Sequence, residues 1–361
     1  MRHVCLYDAA STGGARILKS LKGLPVALAL LGLLAVIALV AWNGFGRVAA
    51  SLLSVGAGGF VLLCAFQVFV AAVLGVAWRV IAPIGPGRRG VAVDAVFVWA
   101  RLLRDACGSC LPFSQVGGFV VGARAVSLHG QTWQVASLST VGDLTAEFLT
   151  MLVFAAAGLV VLAAHHVHWL SGGAMAAILV AVIGLGVVHM PNRAAPLFAR
   201  FGRAMLGRGF DLAGRDIQSI EPELAQIYGR TDLFTACNAI HFVGWVAKGV
   251  GGFIAFKLLG APISLLDALA IEGLLHAGLI VAVLVPGYAG VQEGGYMLLG
   301  AAFGVPPEIA LGTSLLRRGR DIAIGIPVLL IWQFVELRRL HKTATPVSGN
   351  AAMQPRHRLR Q

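Results

Sequence analysis

Charge is what this sequence has least of: Asp, Glu, Lys and Arg make up 12% of its 361 residues, while 58% are apolar. A soluble globular chain carries roughly a quarter of its residues as charge and about half as apolar side chains. A solvent less polar than water must therefore cover much of this surface. Cysteine is also sparse. Cys5, Cys64, Cys107, Cys110 and Cys237 are an odd number of scattered residues, which excludes a disulfide framework. No G-x-x-x-x-G-K-[ST] string occurs, so ATP hydrolysis on a P-loop is excluded. Long soluble segments are missing too. The longest lies between His189 and Phe234, far below the roughly 100 residues of a usual catalytic domain, so neither enzymatic chemistry nor a cofactor is expected.

What the chain has instead is apolar length. Leu24 to Trp42 carries no charge, and Val48 to Trp78 is a second uncharged run; about 20 such residues cross a hydrocarbon core. Arg16, Lys19 and Lys22 precede the first run as in a signal peptide. The run is longer than a signal's, however, and Ala41-Trp42-Asn43 is a poor cleavage site, so an uncleaved anchor is expected. Full spans read as Leu24 to Trp42, Val55 to Val76, Val135 to Leu162, Ala174 to His189, Phe234 to Leu258 and Ile309 to Val335.

The formal charge of +12 is not a nucleic-acid signature, because of where it sits. Lys and Arg gather in the N-terminal tail, between Arg193 and Arg230, and from Arg338 onward, and are missing from His165 to Gly173 and Gly260 to Ser264. That asymmetry follows the positive-inside rule and predicts both termini in the cytoplasm, with the chain in a bacterial inner membrane. Between Arg193 and Arg208, Leu197, Phe198, Phe201 and Met205 share one helical face among arginines. This suits either a helix lying on anionic inner-leaflet lipid or a solvated connector. Residues 1–345 read as one integral membrane domain, and the polar segment 346–361 as a disordered tail.

Two stretches, Val91 to Ser127 and Leu265 to Gly304, are broken near the middle by Pro and Gly. Their arms are short for about 30 Å of hydrocarbon at about 1.5 Å per residue, so both read as re-entrant hairpins, although paired short crossings preserve the same topology. The expected fold is all-α and polytopic: about six transmembrane helices plus two broken hairpins. Repeat one covers about 55–162 and repeat two about 234–335, joined by a linker at 191–233. A shift of 174 positions lays Pro112 on Pro286, Gly130 on Gly304, Asp143 on Arg317 and Glu147 on Asp321. Because the hairpins open from opposite sides, the repeats would be inverted, a recurring plan of secondary transporters.

Charged groups inside spans cost about 2.5–3.5 kcal/mol each on insertion scales, so they face a partner, a cavity or water. Asp143 and Glu147 lie one turn apart in the third span, Lys248 in the fifth, and Arg317 and Asp321 in the sixth. Glu272 and His276 are again four apart, and Glu293 follows the second break. Asp143, Glu147, Arg317 and Asp321 are expected to converge on a polar path between the repeats. The alternative is that such groups pair, Asp143 with Arg317 for instance, and only hold the bundle together. Asp105, Gln115 and Arg124 flank the first break as weaker candidates. Cys107-Gly108-Ser109-Cys110 lacks the βαβ setting of a redox C-x-x-C. His165, His166 and His168 lack ligand companions for a metal.

From Leu111-Pro112 through Gly117-Gly118 to Ala125 the chain resembles the hopanoid biosynthesis-associated membrane proteins, within the larger group of lysylphosphatidylglycerol synthase transmembrane (flippase) domains. Pro286-Gly287-Tyr288-Ala289-Gly290-Val291-Gln292-Glu293 is similar to that group's second broken-helix motif, with Tyr288 where Gly is usual. The resemblance runs from about Leu24 to Leu340. It implies a lipid-translocating domain whose partners are a membrane lipid, hopanoid or phospholipid, and lipid-synthesising enzymes. A non-catalytic scaffold for such enzymes is the alternative.

Overall fold

The computed structural model describes residues 53–84, 90–111, 114–165, 226–280 and 285–344, with the single positions 34 and 282. The expected spans Leu24 to Trp42 and Ala174 to His189, the basic stretch Arg193 to Arg208 and the tail 346–361 lie outside the described residues. Among those described, regular structure is helical and no strand occurs.

Helix α1 is Gly56–Ile81, followed by α2, Val91–Cys110, and α3, Ser114–Leu128; α4 is Trp133–His165, and α5 is Thr231–Leu258. Then come α6, Leu265–Leu279, a 3-10 turn at Pro286–Tyr288, α7, Val291–Ala302, and α8, Pro307–Ala344. Helices α1, α4 and α5 are long and apolar enough to cross a membrane, matching three of the expected spans. The stretch Ile309 to Val335 lies inside α8, whose 38 residues rise about 57 Å and carry charges in mid-helix.

The helix ends follow from local chemistry. Leu111 stops α2 in an extended conformation (φ −106°, ψ 140°), as the residue before a proline must be. Helices α5 and α7 both close with a left-handed glycine, Gly260 (φ 79°) and Gly304 (φ 72°). In each, the next residue's N–H returns to a carbonyl five positions back, Ala261 to Phe256 and Val305 to Gly300; this is the Schellman cap. Ser264 caps α6 by accepting from Asp267 N–H at 3.1 Å.

Helix boundaries recur 174 positions apart: Val91 and Leu265, Leu128 and Ala302, Trp133 and Pro307. The arms of the second hairpin contain 15 and 12 residues, about 22 and 18 Å of rise, against about 30 Å of hydrocarbon. In the first hairpin α3 has 15 residues, but α2 has 20, about 30 Å of rise and longer than the short arm expected there, because its helix runs on to the residue before Pro112.

Close helix approach is bought with glycine. A Cβ on Gly118 would lie 2.6 Å from the Arg104 carbonyl oxygen, so α3 packs on α2 only without one. Gly158 of α4 meets Ala270 of α6, and Gly325 of α8 meets Cys110 and Ala106 of α2. Each hairpin's leading arm thus packs on the long charged helix of the other half. Outward-facing Val61, Phe69, Leu298, Leu330 and Phe334 stay exposed, as suits helices solvated by lipid.

Candidate functional site

The first charged network lies between α2 and α4. Arg101 reaches both oxygens of Glu147, Nη2 to Oε1 at 2.7 Å and Nη1 to Oε2 at 3.1 Å, a bidentate pair. Arg104 donates to Asp143 Oδ2 at 2.7 Å and also contacts Glu147 Oε2. On α5, His241 Nε2 meets Asp143 Oδ1 at 2.8 Å, and Lys248 lies 3.6 Å from Glu147 Oε1 and 4.0 Å from the Trp245 ring centre. Asp105 binds Arg101 from the next turn at 3.0 Å.

The second network lies between α6, α7 and α8. Arg317 donates to Glu272 Oε1, which also accepts from the Tyr296 hydroxyl. Arg318 joins Glu293, Nε to Oε1 at 2.9 Å, to the Gly287 carbonyl oxygen at 3.0 Å, and so ties the tip of the second hairpin to α8. Glu293 Oε2 also accepts from Gly290 N–H at 2.8 Å, capping α7. Arg320 pairs with its neighbour Asp321 at 2.7 Å.

Asp143 therefore does not pair with Arg317, contrary to the expectation from the repeat. Each reaches instead to the leading hairpin arm of its own half. Long guanidinium side chains span that gap, and a buried charge takes the partner that also satisfies its remaining hydrogen bonds.

Between the networks is a cavity of about 350 Å³, touched by both hairpin tips through Gly108, Ser109, Gly287 and Tyr288. Glu147, Arg317, Asp321, His276 and Lys248 line it, as do Arg101, Arg104, Asp105, Arg318 and Arg320. The lining holds six cationic side chains against three carboxylates, Asp105, Glu147 and Asp321, a formal excess of three positive charges. Asp143, Glu272 and Glu293 stand behind that lining, each 0% exposed. Apolar residues such as Leu102, Phe148, Met151 and Ile324 complete the wall.

Of the broken-helix residues, Gly117 and Gly118 sit in α3, Pro286 and Gly287 form the 3-10 turn, and Gly290 precedes α7. Pro112 and the Gln115 side chain lie outside what is described. Tyr288 has φ 54°, a left-handed conformation that favours Gly, and its ring lines the cavity. Arg124 pairs with Glu336 at 2.6 Å, away from the cavity. His165 pairs with Asp267 at 2.9 Å; His166 and His168 lie outside the described residues.

The family-model comparison decides the grouping, with a match to the lysylphosphatidylglycerol synthase TM region over residues 26–328. The chain belongs to that family. It is a multi-pass membrane protein with a lipid-related role. No curated protein and no solved structure matches it significantly.

Within this family member, sequence reasoning missed Arg101, Arg104, His241 and Tyr296 as site residues. For the arginines a signal existed: two guanidiniums three positions apart in an otherwise apolar arm incur the same insertion cost as the carboxylates. His241 and Tyr296 carry no such signal, since their roles depend on which acid the fold brings near. Asp143, Cys237 and His241 also place one metal-type ligand atom each within 4.8 Å of one another. Both Asp143 oxygens are already engaged there, one of them by a guanidinium, and the cluster is assigned no metal.

Proposed function

We propose that this domain moves a lipid between the leaflets of a bacterial inner membrane, without catalysing a covalent reaction, and that the cavity receives the headgroup while the apolar body stays in lipid. The observation that carries the reading is a charged cavity bordered by both hairpin tips and by both long charged helices. In this reading the two halves are inverted repeats around the cavity, the hairpins are re-entrant, and the termini face the cytoplasm.

Two cargo classes follow from the resemblance, and charge separates them. A hopanoid with a neutral polyol headgroup gains only hydrogen bonds from this lining. An anionic phospholipid headgroup also gains charge-assisted bonds from guanidiniums whose carboxylates Glu272 and Glu293 stand behind the wall. The lining favours the anionic headgroup. A scaffold for lipid-synthesising enzymes is the second reading, supported by the pairing of Asp143, Glu147, Glu272 and Glu293 with cations but opposed by the cavity.

Reconstitution into vesicles containing fluorescent phosphatidylglycerol or a labelled hopanoid, followed by quenching of the outer leaflet, tests these readings. Faster loss of leaflet asymmetry than in protein-free vesicles is expected, more so for the anionic lipid. Equal rates with and without protein for both lipids would sink translocation and leave the scaffold.

A further inference from the structure

Glu272 is built differently from the other buried acids. It is 0% exposed, and all its described hydrogen bonds fall on Oε1, from Arg317 and Tyr296. Oε2 is buried with no hydrogen-bond partner among the described residues; His276 Nδ1 lies 3.7 Å from it. A carboxylate oxygen buried without a donor is costly, and a proton on that oxygen removes the cost.

His276 is placed to supply one. Its Nδ1 is 2.8 Å from the Glu272 carbonyl oxygen, so Nδ1 carries hydrogen and Nε2 is left as the acceptor of the neutral ring. The ring lines the cavity. Gly252 of α5 makes room for the acid, because a Cβ there would come within 2.5 Å of Oε1.

The charged and titratable groups around this pair come from three of the packed helices. Helix α8 contributes Arg317 and Arg320, α7 contributes Tyr296, and α5 contributes Lys248. Beside the pair, α4 presents Phe154, Ala155 and Gly158, none of them titratable, while its His165 meets Asp267 nearer the start of α6. Arg317 is the group shared between acid and cavity, as partner of Glu272 and as part of the lining.

We infer that Glu272 and an anionic headgroup compete for Arg317, so that headgroup binding is exchanged for proton uptake at Glu272. This rests on the reading of the cavity as a headgroup site. When a phosphate takes the guanidinium, Glu272 is left as an unpaired buried charge. Cavity water delivers a proton to His276 Nε2, the Nδ1–H bond breaks as its proton passes to Glu272 Oε2, and the ring is left neutral with its hydrogen on Nε2. One O–H bond forms on Glu272, one hydronium is consumed from solvent, and nothing is oxidised. A lipid anion and a proton then cross together, which allows a proton gradient to drive movement in a chain without a P-loop string. By linkage, proton and headgroup strengthen each other's binding by the same factor.

The test uses the full chain in detergent, in weak buffer with a pH indicator. Short-chain phosphatidylglycerol, short-chain phosphatidylcholine and inorganic phosphate are added separately. Uptake of about one proton per chain is expected with phosphatidylglycerol and none with phosphatidylcholine, together with affinity for the anionic lipid that rises up to about tenfold per unit fall in pH. Uptake with inorganic phosphate as well would support recognition of the phosphate itself, and uptake with the lipid alone would support recognition of the headgroup in its lipid setting. Glu272→Gln should bind with no uptake. Unchanged uptake in that variant, or pH-independent affinity in the wild-type chain, overturns the exchange; the wild-type measurement decides if the variant does not fold. Lipid movement in vesicles without proton uptake defeats the exchange and leaves translocation standing. Uptake without lipid movement defeats translocation and leaves the exchange.

Discussion

The two halves share a helix plan and reverse the charge of one central pair in it. In the first, the long helix α4 supplies carboxylates, Asp143 and Glu147, and the hairpin arm α2 supplies arginines. In the second, the long helix α8 supplies Arg317 and the hairpin arm α6 supplies Glu272. Asp143 and its equivalent Arg317 thus make the same kind of contact, long helix to leading arm, with opposite sign, while Glu147 and its equivalent Asp321 keep theirs. Backbone architecture at these positions is indifferent to which partner carries the acid. The distribution differs as well: the first half binds two acids with two arginines, a lysine and a histidine, while Glu272 relies on one arginine and a tyrosine. In the first network the two acids share their cations, whereas in the second Glu272 and Glu293 each have an arginine of their own, so loss of the Arg317 pair frees Glu272.

Removing one arginine from each half is the largest expected break in this comparison. Arg104→Leu strands Asp143 with only His241 and strips one donor from Glu147, costing about 3–5 kcal/mol for a dry pair. Arg317→Leu strands Glu272 and costs a similar amount or less, since water from the cavity reaches that arginine's side. Thermal unfolding in detergent checks both. The double variant Glu272→Leu with Arg317→Leu should recover most of the loss yet move no lipid; a stable double variant that still moves lipid would make the pair structural only.

A smaller effect is expected at the hairpin seam. Gly118→Ala pushes a methyl against the Arg104 backbone and should cost about 1–3 kcal/mol. Gly117→Ala meets nothing within 4 Å and should be neutral or stabilise by up to about 1 kcal/mol through helix propensity. Melting temperatures that fall equally for both would contradict the close approach of α3 to α2.

The smallest stability change belongs to Tyr288→Gly. Relief of a left-handed non-glycine backbone, about 1–2 kcal/mol, opposes the lost packing of the ring on the cluster around Phe256 and Leu275. Net stability should shift by no more than about 1 kcal/mol, while a wider cavity should speed movement of bulkier headgroups in the vesicle assay. An unchanged preference among headgroups would remove Tyr288 from the cavity's selectivity.

Composition, the uncharged runs and the two Pro/Gly breaks made the solvent, the helices and the hairpins legible along the chain. Each rests on chemistry within one element: hydrocarbon demands apolar length, proline stops the residue before it, and glycine accepts φ > 0 at Gly287, Gly290 and Gly304. The same cost of buried charge singled out Asp143, Glu147, Glu272, Glu293 and Arg317 before any contact was known. Pairing was beyond that reasoning. A guanidinium on a helix reaches several neighbouring helices, and the choice among acids depends on helix rotation and on glycine-permitted approach, which involve residues far apart in sequence. Tertiary structure alone therefore decided that Asp143 turns to Arg104 and His241, that Arg317 turns to Glu272, and that one Glu272 oxygen is left beside His276 without a donor among the described residues.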